Sequence, residues 1–473
     1  MQLEVDVAII GAGTAGTSAA REVKRATDSF VLINEGSYGT TCARVGCMPS
    51  KTLLYYAHQL HKMRQFQQNI SPLAPFFKPA GSAILQAVRN LRDQFVENAT
   101  ADYFQHFSTH NIHGKAEFLR PDLLRVGATQ ILAGKGIIIA TGSKPMIPKQ
   151  WLPLKKYILT SDEIFELKAL PDSLAVMGLG LLGLEFSQAL ARVGVRVAGF
   201  EQGSLLGGLT DPVVSLHAQE ILSREFEISL AQQPELQEQN GLVRVKTGNK
   251  SGLFERVFVS VGRRPSLDGL GLAQFGILNS EGQLLKYNPD TTQVGEFRIF
   301  VAGDADGDRP LLHEAALEGK IAGFNSVRAH SEYFQRPAPL SIGFSSPGIA
   351  VCGFSYAQAK ERNMVCGAAD FSSQGRAVLQ HENEGLLHLY AEKGSGRVLG
   401  AEMFAPGAEH LAHLISWSIQ HQSDLDDFLQ MPYYHPTLEE GIRIAAKDAR
   451  HKIAAQHNVG FTIPEGTVHQ AAV

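Results

Sequence analysis

The sequence predicts an α/β protein with two Rossmann-like dinucleotide-binding domains, followed by a C-terminal α+β domain. Two stretches each combine a buried strand, a Gly-x-Gly-x-x-Gly turn, a helix and a second strand that ends in an acid, which is the frame of a dinucleotide site. From about residue 337, Gly and Pro are interspersed through alternating apolar strands, and an amphipathic helix follows around residues 410–421. A chain of 473 residues is too long for one core, so several domains are expected.

Composition excludes several classes of protein. The chain is 44% apolar and 19% charged, an ordinary globular balance, and its net charge of −4 argues against nucleic-acid binding. It has no apolar run of the length that spans a membrane, and strand-like residues begin too early to leave room for a secretory signal. We therefore expect a cytoplasmic protein. Four cysteines do not make a disulfide scaffold, so any pair that serves a purpose is expected to be redox-active or metal-binding.

The first fingerprint lies at the N-terminus. It consists of a strand at residues 5–10, the glycines Gly11, Gly13 and Gly16, a helix at residues 17–25, a strand at residues 30–33, and Glu35. The first two glycines permit a tight turn and close approach to a pyrophosphate, and the third lets the helix pack on the strand. The helix N-terminus favours the phosphate charge, and Glu35 is placed to bind ribose hydroxyls.

The second fingerprint repeats this order. It consists of a strand at residues 174–177, the glycines Gly178, Gly180 and Gly183, a helix, a strand at residues 195–200, and Glu201. Two copies imply two nucleotides or one duplicated fold of which a single copy binds; each copy is complete, which favours two. A carboxylate at Glu201 bonds a free 2′-hydroxyl and repels a 2′-phosphate, so NAD is favoured over NADP. The positive charge of Arg196 would instead favour NADP, but this residue lies early in its strand and not at its end.

Cys42 and Cys47 are two of the four cysteines. On a regular helix, residues five apart have Cα atoms about 8–9 Å apart, whereas a disulfide needs about 4.4–6.8 Å. If the pair closes, the backbone must therefore bend, and Gly46 and Pro49 are suited to that. Two unrelated free thiols remain the alternative. With no second Cys pair and no nearby His-x-x-x-His, redox chemistry is favoured over zinc.

Further strand ends carry small or acidic residues. Strands at residues 136–140, 258–261 and 299–302 run into Thr141-Gly142, Gly262 and Gly303-Asp304. These residues are either turns and caps or ligand contacts at the carboxyl ends of strands. Three prolines in residues 71–81 predict a loop between two long helices.

His435 stands near the C-terminus and precedes a proline. It is one of 17 histidines in the chain, and a histidine taken alone is most often a surface residue. Glu440, five residues on, is placed to orient its imidazole.

Taken together, these motifs resemble the class I pyridine nucleotide–disulfide oxidoreductases, and within them the dihydrolipoamide dehydrogenases. The resemblance covers nearly the whole chain. It rests on both fingerprints, the Cys42-x4-Cys47-x-Pro-Ser-Lys51 stretch, the Ala-Thr141-Gly142-Ser and Gly262-Arg-Arg-Pro turns, Gly303-Asp304, and His435-Pro-Thr-x-x-Glu440.

The resemblance implies a role for each motif. The first fingerprint, Glu35, Gly114, Thr141, Gly142 and Asp304 would hold FAD, and the second, Glu201 and Gly262 would hold NAD. Lys51 and Glu185 would pair beside the flavin. Cys47 would be the charge-transfer thiolate and Cys42 the interchange thiol. His435, held by Glu440 and usually followed by a cis peptide bond, would come from the other subunit of a homodimer.

The resemblance also implies an activity and a domain plan. Electrons would pass from dihydrolipoamide, free or on a lipoyl domain, through a Cys42–Cys47 disulfide and flavin to NAD. The alternatives are NADH-dependent reduction of another small disulfide, and a flavin- or nucleotide-binding sensor without catalysis. The implied domains are 1–145 (FAD-binding, first part), 146–268 (NAD-binding), 269–337 (FAD-binding or central, second part) and 338–473 (α+β dimerisation).

Departures from the family pattern lie around the thiols. Thr40 replaces the second glycine before Cys42, and Arg44 replaces the asparagine between the cysteines. If Arg44 faces the thiols, it favours the thiolate and lowers its nucleophilicity. The tail after Glu440 has no cysteine, which argues against a mercuric reductase. Glu201 argues against the NADP-dependent glutathione and trypanothione reductases.

Overall fold

The computed structural model describes residues 2–70, 79–248, 250–279, 282–285 and 287–456. Most of the predicted loop at residues 71–81 and the whole tail at 459–473 lie outside these residues. Within the described ranges, none of the helices has the length and apolar character that crossing a membrane requires.

The strands are mostly short, as expected for an α/β protein. In chain order they are β1 Gln2–Ile10, β2 Phe30–Asn34, β3 Asn111–His113, β4 Ala116–Arg120, β5 Leu123–Val126, β6 Thr129–Ile139, β7 Ser143–Pro145, β8 Ile158–Leu159, β9 Ser173–Met177, β10 Arg196–Phe200, β11 Glu227–Ser229, β12 Glu235–Gln239, β13 Leu242–Thr247, β14 Lys250–Phe254, β15 Arg256–Val259, β16 Arg263–Pro265, β17 Ile299–Val301, β18 Leu340–Gly343, β19 Gly348–Gly353, β20 Met364–Asp370, β21 Leu386–Glu392 and β22 Val398–Ala405.

The α-helices vary from one turn to more than seven. In chain order they are α1 Thr14–Val23, α2 Thr41–Arg44, α3 Cys47–Ile70, α4 Gly81–Phe107, α5 Leu181–Arg192, α6 Pro212–Leu222, α7 Leu312–Ser326, α8 Tyr356–Lys360, α9 Gly375–Gln380, α10 Ala408–Gln420, α11 Leu425–Gln430 and α12 Glu440–Gln456.

The chain forms two compact units. The first comprises Met1–Leu174, Leu236–Arg244 and Leu253–Arg336, and the second comprises Ala175–Glu235, Val245–Gly252 and Pro337–Val473. The first unit contains the first fingerprint and the cysteine pair, and the second contains the second fingerprint and His435. The bounds of the four domain segments expected from the sequence remain predictions.

A seven-stranded sheet organises the first unit in the order β3-β2-β1-β6-β5-β4, with β17 also paired to β6. The pairs β1–β2, β1–β6 and β6–β17 are parallel. Val7 and Ile9 belong to one core cluster, whereas Ala8 and Ile10 belong to another. Both faces of β1 are thus buried, which explains why its sequence is a nearly continuous apolar run.

Helices α1 and α7 touch at backbone distance in this unit. A Cβ on Gly319 would lie 2.2 Å from the carbonyl oxygen of Ala15, and one on Gly323 would lie 2.6 Å from that of Ala19. Any side chain at these two positions would overlap the backbone of α1. The two glycines therefore set how closely the helices pack.

The second unit combines a parallel strand group with an antiparallel sheet. Strands β9 and β11 flank β10, and helix α5 follows β9 after the second glycine turn. The antiparallel sheet has the order β18-β19-β22-β21-β20. Along β21, Leu387 and Leu389 enter the apolar core with α10 and α12. His388 and Tyr390, which alternate with them, face the opposite side of the sheet.

The predicted α/β fold with a C-terminal α+β part is confirmed, with differences at element ends. Helix α1 begins at Thr14 rather than residue 17, because Gly13 is its N-cap and Gly16 lies inside it. Strand β2 ends at Asn34, so Glu35 follows the strand and is exposed. The strand expected at residues 258–261 is β15, which ends at Val259.

Candidate active site

A helix break brings Cys42 and Cys47 together. Cys42 lies in the short helix α2, and Cys47 is the first residue of α3. A Cβ on Gly46 would lie 3.2 Å from the Cα of Cys42, so glycine allows the chain to fold back tightly here. Pro49 lies in the first turn of α3. The bend expected from the sequence is thus present, and Cys42 and Cys47 are not joined by a disulfide in this structure.

The two thiols share a hydrogen bond that controls their ionisation. The hydrogen bond with Cys47, followed by burial, raises the pKa of Cys42 well above its usual range, and the positive charge of Lys51 opposes this rise. Cys47 stands at the positive end of the α3 dipole, which favours negative charge on its sulfur. A single thiolate on Cys47, with Cys42 as its donor, is therefore the favoured charged state of the pair.

Thr40 introduces an unusual backbone geometry just before Cys42. Its φ is +44°, a region that a β-branched residue rarely occupies. Its side-chain oxygen accepts a hydrogen bond from the N–H of Ala43, so it caps α2. Threonine in place of the family's glycine therefore strains the backbone at this position, but its side chain caps helix α2.

The first glycine turn leaves room for a ligand. A Cβ on Gly13 would meet nothing within 4 Å, whereas one on Gly11 would lie 2.2 Å from the carbonyl oxygen of Ala140. The Oγ1 of Thr141 is buried and has no hydrogen-bond partner among the described residues. The uncrowded Gly13 at the start of α1 and the orphaned hydroxyl of Thr141, whose backbone lies close to Gly11, fit a bound dinucleotide such as FAD.

Asp304 lies in a network with two residues from other elements. Its Oδ2 accepts a hydrogen bond of 2.6 Å from the hydroxyl of Ser143, and it lies 3.7 Å from Nε of Arg263. Arg263 also donates to Ser143, at 2.7 Å. The sequence placed Asp304 at a strand end but missed Ser143 and Arg263 as its partners. Both partners stand in turn motifs that the sequence analysis had singled out, Ala-Thr141-Gly142-Ser and Gly262-Arg-Arg-Pro, and these motifs were the signal that could have found them.

Three other predicted cofactor residues occupy turns or ends of strands. Gly114, φ +152°, donates its N–H to Asn34 at the end of β2. Gly262, φ +113°, accepts a hydrogen bond from the N–H of Met146. Gly142 has φ +68° and open space around its missing side chain. Each suits close passage of a ligand, and their cofactor roles remain predictions.

The second glycine turn is organised by Glu201. One carboxylate oxygen accepts the N–H of Leu179 at 2.7 Å, and the other accepts the N–H of Gly203 at 3.0 Å. A Cβ on Gly180, the N-cap of α5, would meet nothing within 4 Å. The acid therefore lies against the turn that is expected to hold the pyrophosphate, where a ribose would be within reach. Gly178 has φ +90°, and Gly183 lies buried in α5.

Glu185 is buried in α5, and one of its oxygens accepts the N–H of Phe344 at 2.8 Å. Lys51 lies in the first turns of α3. The two residues belong to different units, and their pairing beside a flavin remains a prediction.

His435 and Glu440 form an imidazole–carboxylate pair. Nδ1 of His435 lies 3.1 Å from each carboxylate oxygen of Glu440. This hydrogen bond is the main cause that lowers the pKa of Glu440. The N–H of Thr437 also donates to Glu440. The imidazole is 76% exposed, and the peptide bond after it is cis. The orientation expected from the sequence is present, and Nε2 is left available for a partner.

This geometry defines a class of protein: a dinucleotide-binding α/β protein with a coupled thiol pair and an imidazole–carboxylate pair. The chain belongs to the pyridine nucleotide-disulphide oxidoreductase family. Residues 5–319 match the family's oxidoreductase domain, and residues 340–446 match its dimerisation domain. The resemblance stated from the motifs is thus confirmed. The family is FAD-dependent and binds NAD or NADP, so the chain is a flavoprotein disulfide oxidoreductase.

Several relatives extend along nearly the whole chain. A dihydrolipoyl dehydrogenase from Staphylococcus aureus is 28% identical over 464 residues, which cover 94% of this chain and 97% of that protein. A mercuric reductase from Streptomyces lividans is 28% identical and covers 93% and 95%. The structure of the HOCl-induced flavoprotein disulfide reductase RclA from Escherichia coli superposes with a TM-score of 0.79 at 21% identity, covering 93% and 99%. The relatives thus differ in substrate.

Proposed function

We propose that the protein is an FAD- and NAD-dependent dithiol–disulfide oxidoreductase that oxidises dihydrolipoamide, free or carried on a lipoyl domain. The hydrogen-bonded thiols of Cys42 and Cys47 are the observation that supports this most directly. Dihydrolipoyl dehydrogenases of similar length support the choice of substrate. The dimerisation domain supports a homodimer in which His435 of the partner subunit serves each thiol pair.

Thiol exchange accounts for the first half of the reaction. His435 accepts the proton of one substrate thiol, and Glu440 holds the imidazole in place and stabilises its charge. The substrate thiolate attacks Cys42 in the oxidised pair, and Cys47 leaves as a thiolate. The second substrate thiol then displaces Cys42, and a cyclic disulfide departs. Two electrons remain on the reduced pair of Cys42 and Cys47.

The bound flavin would accept this electron pair and supply hydride to the nicotinamide. Cys47 would face the isoalloxazine, and Lys51 would hold a positive charge near it. The first glycine turn, Glu35, Gly114, Thr141, Gly142 and Asp304 would bind FAD. The second turn, Glu201 and Gly262 would bind NAD. Glu201 would select NAD, because its carboxylate lies at the glycine turn and would repel a 2′-phosphate.

A second candidate is NADH-dependent reduction of another small disulfide. It is favoured by Arg44, which ends the helix that carries Cys42, and by the strained Thr40 before it. The residues and the chemistry are the same, with the direction of electron flow reversed. A different substrate would explain why these two positions depart from the family pattern.

Anaerobic reduction with one equivalent of NADH tests the enzymatic role. We expect a long-wavelength absorption band from the Cys47 thiolate beside the flavin, and we expect Cys47→Ser to abolish it. A band that persists in Cys47→Ser would contradict the assignment.

Cys42→Ser should retain FAD and lose dithiol turnover, and His435→Gln should lower turnover by roughly 10²–10⁴.

Steady-state rates distinguish the two substrates. The first proposal expects kcat/KM for dihydrolipoamide with NAD to exceed the value for glutathione disulfide with NADH by several orders of magnitude. The opposite order, with the same dependence on Cys42, would select the second candidate. Equal rates in wild type and Cys42→Ser for both substrates would reject both.

A further inference from the structure

One face of the antiparallel sheet of the second unit carries a group of polar side chains beside apolar ones. Cys366 on β20 lies directly opposite Tyr390 on β21, and Glu402 on β22 lies directly opposite His388. Side chains directly opposite each other point to the same face. Leu387 and the other residues that alternate with these belong to the apolar core on the other face. Polar groups therefore collect where a sheet would normally bury apolar surface.

Asp211, the N-cap of α6, extends to this face. Its Oδ2 lies 2.6 Å from Nδ1 of His388 and accepts a hydrogen bond of 2.9 Å from the hydroxyl of Tyr390. Its Oδ1 accepts the N–H of Val213 at 2.9 Å. Asp211 is 1% exposed and His388 is 9% exposed. The two side chains are thus fixed by packing and by hydrogen bonds on both sides of the carboxylate.

The thiol of Cys366 completes a set of three different ligands. One sulfur, one imidazole nitrogen and one carboxylate oxygen, from Cys366, His388 and Asp211, all lie within 4.8 Å of one another. Cys sulfur, His nitrogen and Asp oxygen are all zinc ligands, and three protein ligands completed by a water form one known type of zinc site. Cys366 is only partly buried, whereas Asp211 and His388 are buried.

The charges on this face favour an added cation. Glu402 is fully buried and is held by neutral donors: the N–H groups of Thr210, Asp211 and Tyr356, at 2.7, 2.9 and 2.7 Å. Two carboxylates thus share a desolvated face with one imidazole. A divalent cation bound here would offset the negative charge of the two carboxylates.

We propose that Asp211, Cys366 and His388 bind a borderline divalent cation, Zn²⁺ or one of similar softness. The ion replaces the thiol proton and the proton between His388 and Asp211, both of which pass to solvent. Two tetrahedral ligands at about 2.0–2.1 Å from zinc lie about 3.3 Å apart. The imidazole and carboxylate, 2.6 Å apart here, therefore separate by roughly 0.7 Å on binding.

Cobalt substitution tests the site in the full-length, FAD-loaded chain. The carrier is Cys42→Ser/Cys47→Ser, which removes the other thiol pair as a metal ligand. Titration with Co²⁺ should give the visible d–d bands of a tetrahedral ion, beyond the flavin absorption, with one equivalent per chain. Adding Cys366→Ala or His388→Gln should weaken Co²⁺ and Zn²⁺ binding by about 100-fold or more. Cys352→Ala and His413→Gln are the matched controls and should leave binding unchanged.

Protection from alkylation tests the unaltered site, in case a variant fails to fold. In the same carrier, Zn²⁺ should slow labelling of Cys366 by N-ethylmaleimide at least tenfold, reversibly with EDTA, as read by mass spectrometry of its peptide. Unchanged labelling, or Co²⁺ bands that survive in Cys366→Ala, would overturn the proposal. Binding lost equally in the Cys352 and His413 controls would overturn it too.

Discussion

At the scale of single residues, the structure controls where the protons of the thiol pair reside. The pKa of Cys42 is raised first by its hydrogen bond with Cys47 and then by burial. A raised pKa keeps Cys42 protonated to higher pH, so it reacts as a thiolate only after a base removes its proton. Under the proposed function, turnover would therefore need a base with an available nitrogen, which is the role proposed for His435.

Cys47→Ser should lower the pH at which Cys42 becomes reactive. The variant removes the charge and the sulfur hydrogen bond that raise the pKa of Cys42, so the thiolate forms at lower pH. We expect the pH of half-maximal alkylation of Cys42 by iodoacetamide to fall by about one unit or more. Cys366, followed in the same digest, is the internal control. A profile that is unchanged or moves to higher pH would contradict the coupling.

Glu201→Gln should shift the nucleotide preference toward NADPH. The variant removes the negative charge and one of the oxygens that accept the N–H groups of Leu179 and Gly203. We expect the ratio of kcat/KM for NADPH over NADH to rise by about 10- to 100-fold. Glu227→Gln, on the neighbouring strand β11, is the control and should leave the ratio unchanged. An unchanged ratio in Glu201→Gln would remove this residue from nucleotide selection.

At the scale of elements, close backbone contact positions the first glycine turn. Helix α1 starts at that turn, and α7 packs on α1 where Gly319 and Gly323 allow their backbones to meet. The start of α1 is therefore fixed by helix packing before any nucleotide binds. The thiol pair depends in the same way on a joint between elements, the break from α2 to α3 at Gly46.

Gly319→Ala should destabilise the first unit. The added Cβ would lie 2.2 Å from the carbonyl oxygen of Ala15, so one helix must move. Overpacking of this kind costs about 1–3 kcal/mol, measured as the apparent free energy of unfolding from flavin release in urea. Gly394→Ala, where a Cβ would meet nothing within 4 Å, is the control, and it should change stability by less than about 0.5 kcal/mol. Equal effects of the two variants would show that the contact is not close.

At the scale of the whole molecule, features that depend on neighbouring residues could be predicted from the sequence, whereas contacts between distant residues could not. Both glycine turns, the bend at the thiols and the Glu440 contact of His435 follow from residues close together in sequence. The contacts of Asp304 with Ser143 and of His388 with Asp211 join residues 161 and 177 positions apart. The turn motifs mark Ser143 as a candidate but do not show which residue it meets, and no motif marks His388 or Asp211, because these pairs meet only through tertiary packing.

Mixed dimers test whether the homodimer shares its sites. Cys42→Ser subunits supply His435, and His435→Gln subunits supply the thiol pair, so a heterodimer would have one intact site. Statistical exchange of the two should restore about a quarter of wild-type turnover if His435 acts across a two-fold interface. Each variant exchanged with itself is the control. Activity that stays at the level of the parents would place His435 in the same chain as its thiols.

The two kinds of glycine in the first fingerprint would follow different histories in descendants of this chain. A Cβ on Gly16 would lie 1.9 Å from the carbonyl oxygen of Gly11, whereas one on Gly13 would meet nothing within 4 Å. A lineage that stopped binding a nucleotide would still need Gly16 in order to fold, but would be free to replace Gly13. Among divergent sequences, a glycine at position 16 therefore indicates that the fold is kept, and a glycine at position 13 indicates that the nucleotide site is still in use.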